Sequence, residues 1–400
     1  QLVAAVADAA ATANAWHVTI VGEAGVGKSR LVDELHATVR RVGLRASGVT
    51  VACAPYGDHG PLAPLAAIVR RLLGVGSGTT AEQRAAVEGG LERLSPSLGG
   101  DRGYLTQRTL QLLGLGEIPG SESVVTSPLR NRMSAELTSA ARRVIEAAAA
   151  EAPLVVAVDD AHFADQLVRD ARDPRGGEGR RAQLMVVVVG REELIERRPS
   201  LVDRAGVHRM LLTVGPLSEA PSQELLQRAL AEVDGHSGTL TATSEAEILR
   251  AAGGNPLLLE QLVRFLLETG ALEQVEGGWR AAHDLDEIGL PDDARVLLGA
   301  RLDALPATER AALQAAAIVG RTFTATAVGA MEVPVDSGLL ERVAQRGLLV
   351  RVEGDGDEPR WTFRHPMVRE AAYASVPLGD RAAKHARMVR RLLAEAPERT

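Results

Sequence analysis

Three glycines, one lysine and one hydroxyl stand in Gly22-Glu23-Ala24-Gly25-Val26-Gly27-Lys28-Ser29 at the spacing that grips a chain of phosphates. Glycine at 22, 25 and 27 lets the backbone curl so that its N–H groups point inward at oxygen atoms. Lys28 would reach the outer phosphates, and the Ser29 hydroxyl would ligate Mg²⁺. The apolar run Val18-Thr19-Ile20-Val21 before the loop reads as a buried strand. Leu31, Val32, Leu35, Val39 and Val42 after it mark one face of a helix. That helix aims its positive end at the phosphates. Of 45 basic residues only Lys28 and Lys384 are lysines. A compact ammonium fits inside such a loop where a planar guanidinium does not. The implied ligands are ATP or ADP with Mg²⁺.

A second apolar run, Leu154 to Val158, ends in the carboxylates Asp159 and Asp160. In a parallel sheet both would lie at the edge where ligands bind. Asp159 is expected to hold Mg²⁺, in the second shell or through water, and Asp160 to orient or activate an attacking water. His162 stands beside them, as a flanking site residue or as a surface or capping histidine. A third run ends at Gly190 and is followed by Arg191. Two readings stand for Arg191: a cation that senses the terminal phosphate, or the partner of a local carboxylate.

Composition limits the alternatives. The chain has 400 residues, 46% hydrophobic and 24% charged, which is ordinary for a water-soluble protein of two to four domains. A net charge of −7 and 2% aromatic residues argue against a dominant nucleic-acid surface or a stacking platform for single strands. The single cysteine, Cys53, excludes an internal disulfide and a cysteine-rich zinc site, and reads as a small core residue. No apolar run reaches the roughly 20 residues of a membrane span. The chain opens on Gln1 without a signal peptide and is read as a cytoplasmic piece of a longer protein.

The order of elements predicts an α/β fold. A helix over residues 1–15, strands at 18–22, 48–53, 154–158 and 183–189, and helices at 61–73 and 131–150 imply a parallel sheet covered on both faces. Residues 74–126 hold two short helical patches among Gly, Ser and Thr. Asp170 to Arg181 reads as a polar loop, and a short strand at 209–214 ends at Gly215-Pro216. Residues 217–280 read as helical, broken at Gly235–Gly238 and Gly253-Gly254. Residues 290–375 combine three helical patches with two strands, near Leu348–Val352 and Arg360–Phe363, joined by an acidic turn. From Asp380 an arginine-rich amphipathic helix begins.

These pieces together resemble the signal-transduction ATPases with numerous domains (STAND), within the AAA-like P-loop group of origin-recognition type. The phosphate loop, Val158-Asp159-Asp160-Ala161-His162 and the strand ending in Arg191 match in order. Gly253-Gly254-Asn255-Pro256-Leu257-Leu258-Leu259-Glu260 is similar to the family's glycine–proline motif. Leu290-Pro291, Ala300-Arg301-Leu302 and Val319-Gly320-Arg321-Thr322-Phe323 resemble its winged-helix region, and Phe363-Arg364-His365-Pro366 its closing helix. The form is similar to modules found behind class III adenylate and guanylate cyclase domains and in large LuxR-type regulators, with Arg191–Pro199 and the Trp279 segment leaning toward the cyclase-associated form.

The resemblance implies a P-loop NTPase core over 1–215, a helical lid over 216–285, a winged-helix-like domain over 286–376, and the start of a tetratricopeptide-like helical region over 377–400. It places the nucleotide between core and lid. Pro256 would pack near the adenine, though a proline there also serves as a helix breaker. His365 would contact the β-phosphate of ADP and hold a closed state, or be a hydrogen-bonded core residue. The family's glycine–arginine motif before the first strand has no counterpart here, so part of the base pocket is expected to be missing. Asp160 replaces the longer glutamate of fast ATPases, and no arginine finger stands out. The implied activity is a slow ATPase switch, cyclase activity lying outside this chain. Its partners would be an output domain or protein outside the chain, with self-association in the ATP state and no membrane. The alternative is a winged-helix DNA-binding ATPase of origin-recognition type. Its recognition helix near Gly338–Arg346 offers only Arg342 and Arg346 beside Glu341, so direct DNA binding is not expected.

Overall fold

The computed structural model describes residues 1–53, 62–98, 101–116, 127–161, 183–201, 208–234, 239–275, 278–282, 293–335, 338–352 and 358–395. His162, the Asp170–Arg181 loop, Gly235–Gly238, Leu290-Pro291 and the acidic turn at 353–357 lie outside the described residues. The chain divides into two compact units, Gln1–Gly215 and Pro216–Thr400.

The first unit begins with α1 (Leu2–Thr12), β1 (Trp16–Val21), α2 (Lys28–Arg41) and β2 (Ser47–Ala52). There follow α3 (Ala63–Leu73), α4 (Thr80–Arg93), α5 (Arg102–Leu112) and α6 (Ser127–Glu151). It closes with β3 (Leu154–Asp159), β4 (Leu184–Gly190), α7 (Glu193–Arg197) and β5 (Arg209–Thr213). The five strands form one parallel sheet in the order β2-β3-β4-β1-β5, as an α/β P-loop core requires. Alternate residues of its central strands feed opposite faces. Val155, Ala157, Met185, Val187 and Val189 pack with Val32, Leu35 and Val39 of α2 and with α1. Leu154, Val156, Val158 and Val188 pack with α3 to α6. Both faces are therefore dry, which explains why β3 and β4 read as unbroken apolar runs.

The poorly legible stretch after α3 folds through local caps. Thr79 and Glu82 form a reciprocal capping box at the start of α4, with Thr79 N–H on Glu82 Oε2 at 2.7 Å. Asp101 caps α5 by accepting from Tyr104 N–H at 3.1 Å. Cys53 is buried at the end of β2, and burial pushes its thiol up to about 12, in keeping with a core residue.

The second unit opens with α8 (Glu219–Asp234), β6 (Thr239–Leu240), α9 (Ala242–Ala252) and α10 (Pro256–Glu268). The strands β7 (Leu272–Val275) and β8 (Gly278–Ala281) follow, and the three strands pair in the order β6-β8-β7. The reading of residues 217–280 as helical is corrected here. Gly270, at φ 71°, ends the helical stretch, and Leu272 and Trp279 then bury on a hairpin. Next come α11 (Ala294–Asp303), α12 (Ala307–Val319), β9 (Thr322–Thr324), α13 (Ala325–Gly329) and α14 (Leu339–Gln345). The unit ends with β10 (Leu349–Val352), β11 (Arg360–Phe363), α15 (Pro366–Ala374) and α16 (Leu378–Glu395). Strands β10, β11 and β9 form an antiparallel sheet, with Trp361 opposite Phe323. The expected two-stranded hairpin thus gains a third strand. None of the described helices is long and apolar enough to cross a membrane.

One half-buried base makes the first unit sensitive to acid. His17 lies in β1, where burial, helped by Arg209, lowers its pKa from 6.5 to about 4. The native state therefore prefers neutral His17. The associated stability is complete above the unfolded value and is lost as pH falls toward the folded one. The shift amounts to about 3 kcal/mol. Urea titrations should show the wild type losing about that much more stability than His17→Leu between pH 6.5 and pH 4. A difference that does not change with pH contradicts the assignment.

Candidate functional site

Because all five strands of the first unit run the same way, the loops that follow them gather at one edge. Strand β4 lies between β1 and β3, so Arg191 follows a strand flanked by those that carry the phosphate loop and Asp159. The glycines have identifiable local duties. Gly25 and Gly27 sit at φ 85° and 100°, where a side chain would be strained. At Gly22 a Cβ would lie 2.3 Å from the Val214 carbonyl oxygen, since the chain after β5 runs hard against the loop. Gly190 ends β4 where a Cβ would run into the Leu194 side chain.

Lys28 is the first residue of α2 and is 9% exposed. Its Nζ donates to Gly22 O at 2.9 Å and to Glu23 O at 2.6 Å. Two of its three N–H bonds therefore hold the ammonium inside the loop, leaving one for a further acceptor. Burial lowers its pKa, and the charges of Asp159 and Asp160 oppose that shift while Arg191 adds to it. One ammonium thus senses both carboxylates and the guanidinium. Ser29 Oγ donates to Asp159 Oδ2 at 2.5 Å, joining residues 130 positions apart. Asp159 Oδ1 accepts the Asp160 backbone N–H at 2.9 Å. Asp160 itself adopts φ 53°, a left-handed conformation that costs a non-glycine residue about 1 kcal/mol and tends to gather at functional sites.

The structure therefore brings Gly22, Gly25, Gly27, Lys28, Ser29, Asp159, Asp160 and Arg191 to one sheet edge. Oxyanions fit this edge. Its open left-handed glycine loop, helix N-terminus and inward ammonium are donors, and a hydroxyl beside a carboxylate is a set that takes Mg²⁺ together with phosphate oxygens.

Pro256 and His365 belong to the second unit. Pro256 is the first residue of α10, and the motif before it has a local explanation. Gly253 ends α9 in a left-handed conformation, and Gly254 has φ 75° with its Cα pressed toward Leu217 O. Asn255 caps α10 by accepting from Leu257 and Leu258 N–H. His365 caps α15 without a side-chain bond. Its Nε2 is buried and lies 3.7 Å from Glu260 Oε2, an ion-pair distance too long for a hydrogen bond. The adjacent His365 imidazole holds the Glu260 carboxyl below the usual range against the opposing effect of burial. Glu260 had no role assigned from sequence. Its spacing of four from Pro256, on the same face of a helix, was the available signal.

Residues 1–187 match a family model described as AAA ATPase domain. Among curated proteins, an uncharacterized protein of Rhizobium meliloti (strain 1021) is 26% identical over 387 residues, covering 93% of this chain and 34% of that protein. The chain thus spans about a third of the length of that relative. Among solved structures, the Signal Transduction ATPase with Numerous Domains (STAND) protein with a tetratricopeptide repeat sensor from Pyrococcus horikoshii aligns at a TM-score of 0.50 and 16% identity. The alignment covers 97% of this chain and 45% of that one. The ORC1 protein of Aeropyrum pernix, solved in complex with DNA, aligns at a TM-score of 0.37 and 15% identity over 94% of this chain and 90% of that one. The likeness to the STAND protein is one of fold.

The Ser29–Asp159 bond ties α2 to the end of β3 and is open to a thermodynamic test. In a double-mutant cycle on unfolding free energy, Ser29→Ala and Asp159→Ala should be non-additive by about 1 to 2 kcal/mol. Additive losses would show that the two side chains do not bond in solution.

Proposed function

We propose that this chain is an ATP-binding, slowly hydrolysing switch module of a larger regulatory protein. The observation that carries this reading is the Lys28 ammonium held between two loop carbonyls, with Ser29 bonded to Asp159 beside it. The backbone N–H groups of Gly22 to Gly27 and the N-terminus of α2 would hold the phosphates, and Lys28 the outermost oxygens. Ser29 and Asp159 would hold Mg²⁺, which when bound neutralises phosphate charge. Asp160 would orient a water for attack on the terminal phosphorus. The bond from that phosphorus to the bridging oxygen breaks, ADP leaves, and the water's proton passes to the released phosphate. Arg191 would sense the terminal phosphate.

Slow turnover fits the short reach of Asp160, whose carboxylate stands one methylene closer to the backbone than a glutamate's. In the second unit, residues 216–285 are read as a lid, 286–376 as a winged-helix-like domain and 377–400 as the start of a tetratricopeptide-like region. Pro256 and His365 are read as the residues that register the nucleotide state. The buried Nε2 of His365, with no hydrogen-bond partner among the described residues, supports a donor role toward a phosphate oxygen. The output would belong to a cyclase or a transcriptional regulator in the rest of the protein, and the location would be cytoplasmic.

Two variants separate binding from turnover. Lys28→Ala should lose ATP binding in equilibrium dialysis. Asp160→Ala should bind ATP with near-normal affinity while phosphate release falls about a hundredfold or more. Normal ATP binding by Lys28→Ala would overturn the site, and normal turnover by Asp160→Ala would remove that residue from the chemistry.

A further inference from the structure

The phosphate loop and the Gly253–Pro256 turn each grip one end of the same short piece of chain. In the first unit, Val214 N–H donates to Val21 O at 2.7 Å, which carries the β1–β5 pairing past the end of β5. Val214 O then lies against the Cα of Gly22, where a side chain would collide with it. In the second unit, Leu217 N–H donates to Gly254 O at 2.8 Å. A Cβ on Gly254, at φ 75°, would run into Leu217 O and lie 2.9 Å from the Pro216 Cβ. One glycine from each motif thus seats the backbone on either side of the Gly215–Pro216 bond, where one unit ends and the other begins.

Between these two clamps the chain is short and open to solvent. Gly215 and Pro216 are exposed, while Val214 and Leu217 are half-buried. Pro216 has a fixed φ and narrows the choices of the residue before it. A Cβ at Gly215 would meet nothing within 4 Å, and its φ is not left-handed, so neither crowding nor a turn calls for glycine there. Gly215 supplies rotation at one point, and Pro216 supplies stiffness beside it. Peptide units of fixed length carry a displacement of Val214 on to Leu217.

The first clamp shares a residue with the group that meets phosphate. Lys28 Nζ donates to Gly22 O at 2.9 Å and to Glu23 O at 2.6 Å. Phosphate oxygens entering the loop compete for those N–H bonds. An N–H that turns to phosphate releases Gly22 O, and Gly22 is the residue that seats Val214 O. At the far end, Gly254 leads into Asn255, whose side chain accepts from Leu257 and Leu258 N–H at 3.1 and 3.2 Å. A shift of Leu217 therefore arrives at the start of α10.

We propose that residues 214–217 form a coupling strap that carries occupancy of the phosphate loop to the start of α10 through the chain itself. The strap rests on the nucleotide-binding reading and adds to it a route out of the site. It needs no contact between Pro256 and a base, because phosphate alone works the Lys28–Gly22 end.

Hydrogen exchange read by mass spectrometry tests the strap in the full chain, saturated with ATP or with tripolyphosphate, each with Mg²⁺. Tripolyphosphate has no base with which to touch α10. Either ligand should slow exchange about threefold or more at residues 22–29, 214–217 and 253–258. Inserting Gly-Gly after Gly215, or separately Pro216→Gly, should keep the slowing at 22–29 and abolish it at 253–258. The insertion falls in exposed chain, where added residues are tolerated, and Pro216→Gly adds no length, so one variant stays readable if the other misfolds. Slowing at 253–258 that both variants retain would overturn the strap and leave nucleotide binding standing. So would slowing there with ATP but not with tripolyphosphate, which would assign the effect to the base. If neither ligand slows exchange at 22–29, the nucleotide-binding reading fails and the strap fails with it.

Discussion

Burying the Lys28 ammonium is the constraint on which the first unit depends. An ammonium withdrawn from water costs several kcal/mol unless oxygen atoms replace its hydration. Here two carbonyls of its own loop do so, with the charges of Asp159 and Asp160 nearby. Left-handed turns at Gly25 and Gly27 let the loop curl between those carbonyls and Lys28. The carboxylates arrive only because β3 lies one strand away from β1 and runs in the same direction. The apolar faces of β3 and β4, packed on both sides, fix that direction and register. Sheet order, core packing and the charge arrangement at the edge are therefore one design seen at three scales.

Much of this was legible in the sequence because it is written locally. The phosphate loop has fixed spacing, and β1, β3 and β4 announce themselves as unbroken apolar runs between helices. The carboxylates and Arg191 could be placed at the sheet edge because each follows such a run directly. What escaped notice is written across distance. No local pattern reveals that Val214 would block a side chain at Gly22, or that Glu268 and Gln261 receive Arg301 from over thirty residues away. The β7–β8 hairpin was hidden because its few residues carry one buried tryptophan and little alternation. In the stretch after α3, weak amphipathicity left α4 and α5 legible only as two short helical patches without bounds, although Thr79 with Glu82 and Asp101 were available as start signals.

The second unit uses charge differently. Its polar groups do not converge on one lysine but link helices: Arg301 ties α11 to α10 and to the end of α14, and Glu309 ties α12 to α14. Buried ionic links of this kind contribute little net stability but penalise alternative packings, because separating one partner strands the other. Glu260 of α10 also approaches a second element, with His365 Nε2 3.7 Å away, close to the Gly253–Pro256 turn. A unit held this way is suited to moving between a few discrete arrangements rather than deforming smoothly.

The central claim is that the phosphate loop holds a nucleotide as part of a switch. The most direct measurement is to denature the purified protein and identify what it releases by chromatography. Close to one ADP per chain, retained through dialysis and lost in the Lys28→Ala protein, is the predicted result. A protein that emerges empty, and that binds neither ADP nor ATP when they are added back with Mg²⁺, would contradict the account.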